Sequence, residues 1–244
     1  MTISELAGNH SIFLSKPASE IKAVLFDMDG VLVDSVPLHV MAWNTALTSY
    51  GLPLLDHAAY MTALGRTNMD MIVRFLGRHN IELPLETRRE IVQAKERFFR
   101  SNIREEAQAM PGVAAWLEFL TIEHIPCAVA SSGEMANVVA VLDALHLSDY
   151  FAAILSGARL PRSKPDPALF LRAAASVDTE PTKCLVVEDA PAGIQAAKAA
   201  HMVCCALSTT CSPDELSEAD ILLANLGAAD PASLFLDAAS NSVR

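Results

Sequence analysis

Four short apolar runs in this sequence each stop at residues suited to handling an anion, and the first constrains the fold most. Ala23-Val24-Leu25-Phe26 leads directly into Asp27-Met28-Asp29-Gly30. An uninterrupted run of this kind reads as a strand buried on both faces. Open parallel sheets bind ligands just past the carboxyl ends of such strands, which is where the two acids fall. One residue apart, their side chains project in similar directions if the chain stays extended. Two acids so placed can bind a hard cation, attack an electrophile, or divide acid and base work. Left unpaired at the end of a buried strand, they would be costly.

The rest of the chain supplies the sheet and its cover. From Pro37 the pattern turns helical. Leu38, Ala42, Ala46 and Leu47 recur at helical spacing, a second helix is predicted over Asn68–Arg78, and a long third over Glu86–Glu106. From Met110 onward, strands alternate with helices. Strands are predicted at Pro126–Ala130, Ala153–Leu155, Cys184–Val187, Val203–Leu207 and Ile221–Leu223. Helices are predicted at Val113–Glu123, Met135–Leu145, Pro167–Ala175 and Pro191–Ala200. This order implies an α/β protein with a doubly wound, Rossmann-like parallel sheet, interrupted once by an all-helical insertion. The expected divisions are an N-terminal extension over 1–20, a core formed by 21–36 and 108–244, and a helical module over 37–107.

Composition removes several function classes. Of the 244 residues 52% are hydrophobic and 19% charged, which supports a packed core and argues against disorder. The net charge of −11 disfavours nucleic acid, whose backbone needs clustered Lys and Arg. A local site, especially one with a metal, can still take an anionic small molecule. No apolar run is long enough to span a membrane, and Ile12-Phe13-Leu14 is too short for a signal peptide. Cys127, Cys184, Cys204 and Cys205 lie in or beside apolar strand-like runs. Buried free thiols of this kind point to a reducing, cytoplasmic setting. Nothing in the sequence fixes an oligomeric state, and a monomer is the default expectation.

Besides Asp27 and Asp29, three strand ends carry chemistry. Ser131-Ser132-Gly133 follows a strand and opens a helix, a setting in which hydroxyls and free backbone N–H groups suit phosphate oxygens. Lys164 stands between Ser163 and Pro165 in a proline-stiffened loop, and Glu188-Asp189 ends the run Leu185-Val186-Val187. Each alone has an ordinary explanation, as a helix cap, a solvated turn or a complement to a helix dipole. In this order at successive strand ends, they describe a site.

With these four motifs the chain resembles the haloacid dehalogenase superfamily. Asp27-x-Asp29-Gly30-Val31 looks like its first motif, Ser131 the second, Lys164 the third and Glu188-Asp189 the fourth. The run from Val187 to Ala196 is similar to the β-phosphoglucomutase-like branch. The resemblance implies a core with an inserted helical cap, and a Mg²⁺-dependent phosphatase acting on a small phosphorylated metabolite such as a sugar phosphate. It further implies that Asp27 is the nucleophile, forming an aspartyl-phosphate, and that Asp29 is the general acid and then the base. Ser131, Ser132 and Lys164 would bind the phosphoryl group. Asp27, Asp29 (through its backbone carbonyl), Glu188 and Asp189 would hold the metal. An aspartate titrates near ~3.9, so Asp29 must either be shifted upward or take its proton when substrate binds.

Asp29 also separates chemistries, because the family's dehalogenases lack an aspartate at that position. His39 and Trp43, four apart on one helix face, match positions near the substrate in the β-phosphoglucomutase-like branch, as do Gly65, Arg66 and Lys95. Asp34 and Ser35 are expected to be structural, holding the turn into the cap. The sugar mutase carries basic residues where Leu64 and Asn68 stand here, and Glu134 would repel a second phosphate. These departures favour hydrolysis over a hexose-phosphate mutase. A non-catalytic phosphate-binding protein is the remaining alternative.

Overall fold

The computed structural model describes residues 20–62 and 66–235, so the expected extension over 1–20 lies outside the described residues except for Glu20. Six strands form one parallel sheet: β1 (Ala23–Phe26), β2 (Cys127–Ser131), β3 (Ala153–Ser156), β4 (Cys184–Glu188), β5 (Val203–Leu207) and β6 (Ile221–Leu223). Their spatial order is β3-β2-β1-β4-β5-β6. Leu25 pairs with Ala128 of β2 on one side and with Val186 of β4 on the other. The order of the strands reverses between β1 and β4, and a crevice opens above their carboxyl ends at such a reversal.

The strand residues alternate between two apolar layers, as the pleat requires. Val24 and Phe26 pack into a cluster with Trp116 and Leu117 of α5 (Val113–Ile122) and Val138 and Val141 of α6 (Met135–Ala144). Ala23 and Leu25 face Phe170 and Ala173 of α7 (Ala168–Ser176) and Ile194 and Ala197 of α8 (Pro191–Ala199). Covered on both faces, the central strands need no polar positions, which is why they read as continuous apolar runs.

Between β1 and β2 the chain forms an all-helical insertion of α1 (Val36–Ser49), α2 (His57–Met61), α3 (Asn68–Arg78) and α4 (Leu85–Glu106). It has its own apolar cluster, in which Trp43 and Leu47 of α1 meet Ile72 and Phe75 of α3 and Ile91 of α4. Leu38 and Ala42 of α1 and Phe99 and Ile103 of α4 belong instead to the larger cluster beneath, so one end of the insertion is rooted in the core. The sequence gives no periodic signal for α2 or for α9 (Pro231–Phe235), since five residues are too few to show one. α2 is set by its cap: the Asp56 carboxylate accepts from the Ala59 N–H at 2.6 Å. No helix among the described residues is long and apolar enough to cross a membrane.

The Trp116 side chain is fully buried, and its indole N–H donates to the Leu226 carbonyl at 2.9 Å, joining α5 to the chain after β6. Trp116→Ala is expected to lower unfolding free energy by about 3–5 kcal/mol. Urea titration should show a reduced midpoint with an unchanged slope.

Candidate active site

The crevice at the β1–β4 reversal gathers residues from four strand ends. Asp27 directly follows β1, and Lys164 reaches back from the loop after β3. The Lys164 Nζ donates to Asp27 Oδ1 at 2.5 Å and to Glu188 Oε1 at 2.6 Å, and sits 4.7 Å from the centre of the Phe170 ring. The second Glu188 oxygen accepts the backbone N–H groups of Asp189 (2.8 Å) and Ala190 (3.0 Å) at the start of α8. Both Glu188 oxygens are therefore engaged. A methyl group at Gly193, one turn into α8, would overlap this carboxylate, so glycine there makes room for it.

Asp189 lies beside Asp27, and its Oδ2 is buried with no hydrogen-bond partner. Gly30, at φ 77°, turns the chain tightly enough that any side chain would collide with Asp189 and Thr210. Asp27 and Glu188 thus share one buried ammonium, and Asp189 adds a third carboxylate beside them. Burial pushes Asp27 up to about 7, with the negative charges of Glu188 and Asp29 adding to the rise and Lys164 opposing it. Burial and the negative charges of Glu188 and Asp27 hold Asp189 well above its ordinary range. The buried negative surplus and the unpartnered Asp189 oxygen suit a divalent cation. Among the described residues no three His, Cys, Asp or Glu side chains are grouped for a metal ion. Mg²⁺ needs only one or two carboxylates, taking its other oxygens from water, carbonyls and substrate phosphate.

Asp29 points elsewhere. Ser35 donates its hydroxyl to Asp29 Oδ1, and His39 Nε2 lies 3.3 Å from the same oxygen. Burial raises the Asp29 carboxyl, but His39, Ser35 and Lys95 outweigh it and hold it below its ordinary value. The upward shift that the sequence reading allowed is not found, which leaves protonation on substrate binding as the route to an acid. Burial and the Lys95 charge depress His39, so its neutral ring gives the Nε2 proton to Asp29. Its Nδ1 is then a buried acceptor without a partner in the described residues. The ring stacks on Phe99, with centroids 4.2 Å apart and planes 9° apart. Ser35, read from the sequence as structural, touches the site directly.

Ser131 is fully buried and its Oγ accepts the Gly133 N–H at 3.0 Å, ordering the turn after β2. Ser132 and Gly133 line the cavity above Asp27, Asp29 and Asp189. The opposite wall comes from the helical insertion: His39, Trp43, Arg66 and Lys95 all line it, together with Tyr60 and Asn68. Gly65 lies outside the described residues. Lys95 is buried, its Nζ 5.8 Å from the Trp43 ring centre and 5.2 Å from that of Phe99. Its carboxylate partner is Glu96 at 2.8 Å, a residue that no sequence motif singles out.

Comparison with known proteins places this geometry among relatives. Residues 21–201 match the haloacid dehalogenase-like hydrolase family. A phosphorylated carbohydrates phosphatase from Thermotoga maritima is 32% identical over 183 residues, covering 74% of this chain and 82% of that protein. The β-phosphoglucomutase of Bacillus subtilis is 32% identical over 185 residues, covering 75% and 81%. The structure of CbbY from Rhodobacter sphaeroides in complex with phosphate superposes with a TM-score of 0.78 at 29% identity, covering 85% of this chain and 95% of that one.

Gly193 separates local from tertiary demands. Alanine at a helical position ordinarily gains close to ~1 kcal/mol over glycine. Here Gly193→Ala is expected to cost about 1–3 kcal/mol instead, because the Glu188 carboxylate must move. A thermal melt that shows stabilisation would contradict this placement.

Proposed function

The chain belongs to the haloacid dehalogenase-like hydrolase family, and from that premise we propose that it is a Mg²⁺-dependent phosphatase of a small phosphorylated carbohydrate. The observation that carries this reading is the buried ammonium of Lys164 between Asp27 and Glu188, with the unpartnered Asp189 carboxylate oxygen beside them. It fits a site that takes a cation and then a phosphoryl group. Residues 37–107 act as the cap, and 21–36 with 108–244 as the catalytic core. Four buried or strand-borne thiols accord with a cytoplasmic setting.

The chemical problem is electrostatic. A carboxylate approaching a phosphate anion is repelled by ~4 kcal/mol per charge pair at 4 Å near a protein surface. A magnesium ion held by Asp27, Asp189 and the Asp29 carbonyl would neutralise phosphoryl charge and lower that barrier. Lys164 opposes the repulsion from the other side, and burial keeps its charge unscreened. Asp27 Oδ attacks phosphorus, the ester oxygen leaves, and an aspartyl-phosphate forms. Asp29 donates a proton to the departing alcohol and then removes one from the water that hydrolyses the acyl phosphate. Substrate supplies what the free site withholds: a phosphate dianion beside Asp29 favours its protonated form.

Ser131 and Ser132, with Lys164, receive the phosphoryl oxygens. Glu188, with both oxygens occupied, orients Lys164 and does not serve as a metal ligand in this reading. His39, Trp43, Arg66 and Lys95 form the wall that meets the carbohydrate. The likeness to a β-phosphoglucomutase makes mutase activity the second reading. Hydrolysis is favoured because Asn68, where the mutase resemblance expects a base, is engaged with Glu96 at 2.5 Å. Glu134, in turn, lines the adjoining cleft with negative charge.

p-Nitrophenyl phosphate should be hydrolysed with Mg²⁺ and not after EDTA treatment, and a wild type inert under both conditions would end the phosphatase reading. Asp27→Asn is expected to abolish turnover. Asp29→Asn should lower kcat by roughly 10²–10⁴-fold, with phosphate release as the readout. Conversion of β-glucose 1-phosphate to glucose 6-phosphate in the presence of the bisphosphate would favour the mutase instead.

A further inference from the structure

The strongest polar network outside the catalytic cluster joins the cap to the core. Glu96 of α4 is buried, with 1% of its surface exposed, and both of its oxygens are fully used. Oε1 accepts from Lys95 Nζ at 2.8 Å and from Asn68 Nδ2 at 2.5 Å. Oε2 accepts from Asn137 Nδ2, with the Arg100 Nη1 at 3.5 Å. Asn137 belongs to α6 in the core and is equally buried, and its Oδ1 accepts from Arg100 at 3.0 Å. Lys95, Asn68 and Asn137 all line the cavity over Asp27 and Asp29. Burial pushes the Glu96 carboxyl up, but Lys95 and the Asn137 hydrogen bond outweigh it and hold it below its ordinary value, so it is an anion here.

Resting on the phosphatase reading, we infer that Glu96 and Asn137 are positioning residues that make the cap's grip on the carbohydrate depend on the cap being shut. Glu96 fixes the Lys95 ammonium at the cavity wall. Asn137 completes the Glu96 shell from the core side, and only when α4 lies against α6. Opening the cap removes that donor and leaves a carboxylate to be resolvated, which loosens Lys95 at the same time. A buried carboxylate stripped of one partner costs far more than a neutral hydrogen bond. Closure and substrate grip are thereby one event. Other cap–core contacts, Arg104 Nη2 donating to Asp143 Oδ2 at 3.0 Å, His39 against Asp29, and Ser163 Oγ donating to Asp70 Oδ2 at 2.8 Å, do not touch Glu96.

The test is a double-mutant cycle read on two substrates, p-nitrophenyl phosphate and the best-hydrolysed member of a panel of fructose 1-phosphate, glucose 6-phosphate and sorbitol 6-phosphate. Asn137→Asp is isosteric and replaces the donor by a like charge against Glu96. It should lower kcat/KM for the carbohydrate phosphate by roughly tenfold or more, mainly through KM. The loss on p-nitrophenyl phosphate, which offers no sugar to Lys95, should be several-fold smaller. Adding Glu96→Gln should recover most of the loss. The new amide can offer its oxygen to Lys95 and Asn68 and its N–H to the new carboxylate at position 137. Asn137→Ala, which adds no charge, should shift KM the same way by less.

Losses that simply multiply in the double variant, or equal losses on both substrates, overturn the inference. So does a wild type that hydrolyses p-nitrophenyl phosphate but no panel member, while the phosphatase reading then stands. A wild type inactive on every substrate with Mg²⁺ sinks that reading itself.

Discussion

Everything in the core is arranged around one buried ammonium. Lys164 lies between Asp27 and Glu188 with no exposed side-chain surface, so its charge has left water entirely. Such a group is tolerable only if its hydrogen bonds are complete and its partners are fixed. The fold supplies both. Glu188 is locked by two backbone N–H groups at the start of α8, and Gly193 clears the space it occupies. Phe170 closes the other side of the lysine. The same arrangement leaves more negative than positive charge in the crevice. That imbalance is unfavourable in isolation, and the proposed cation would relieve it before a phosphoryl group enters.

The two walls of the cavity divide the work by their charge. The core wall is carboxylate-rich and rigid, built at the ends of β1, β2 and β4. The cap wall presents Lys95, Arg66, the neutral His39 and Asn68. The ordered core fits a task shared by many phosphate esters. In the proposed function the choice of carbohydrate falls to the cap wall. Lys95 and Asn68 are held there by their own network around Glu96, while His39 leans on Asp29 of the core.

The sheet and the core motifs were legible because their signals are local. Ala23–Phe26, Cys127–Ser131 and Cys184–Glu188 are buried on both faces, so their composition alone marks them as strands, and the chemistry falls directly at their ends. The Asn68–Arg78 helix was legible at both of its bounds. The partnerships were not legible. Glu96 and Asn137 are 41 positions apart and acquire meaning only where α4 crosses α6. Glu188 reads as a metal-binding acid beside Asp189, and only the geometry reveals that both its oxygens are taken. Asp29 reads as an acid that must be shifted upward or take its proton when substrate binds. The counter-effect comes from His39, ten residues on, which faces it only after α1 turns back over the crevice.

Ser35 shows how the halves are mechanically joined. It stands at the N-cap of α1, where a serine hydroxyl ordinarily accepts from the first turn of the helix. Here it makes no such bond, and Pro37 in the first turn lacks one of the N–H groups that a cap would serve. The hydroxyl is free to donate to Asp29 instead. His39, one turn further along α1, contacts the same oxygen. The proposed acid–base group is therefore held by the first turn and a half of the cap's own leading helix. A rotation of the cap about this junction changes the environment of Asp29 before it changes anything at Asp27. The proposed nucleophile is tied to Lys164 and the sheet, while the proposed proton-transfer group is tied to the cap as well.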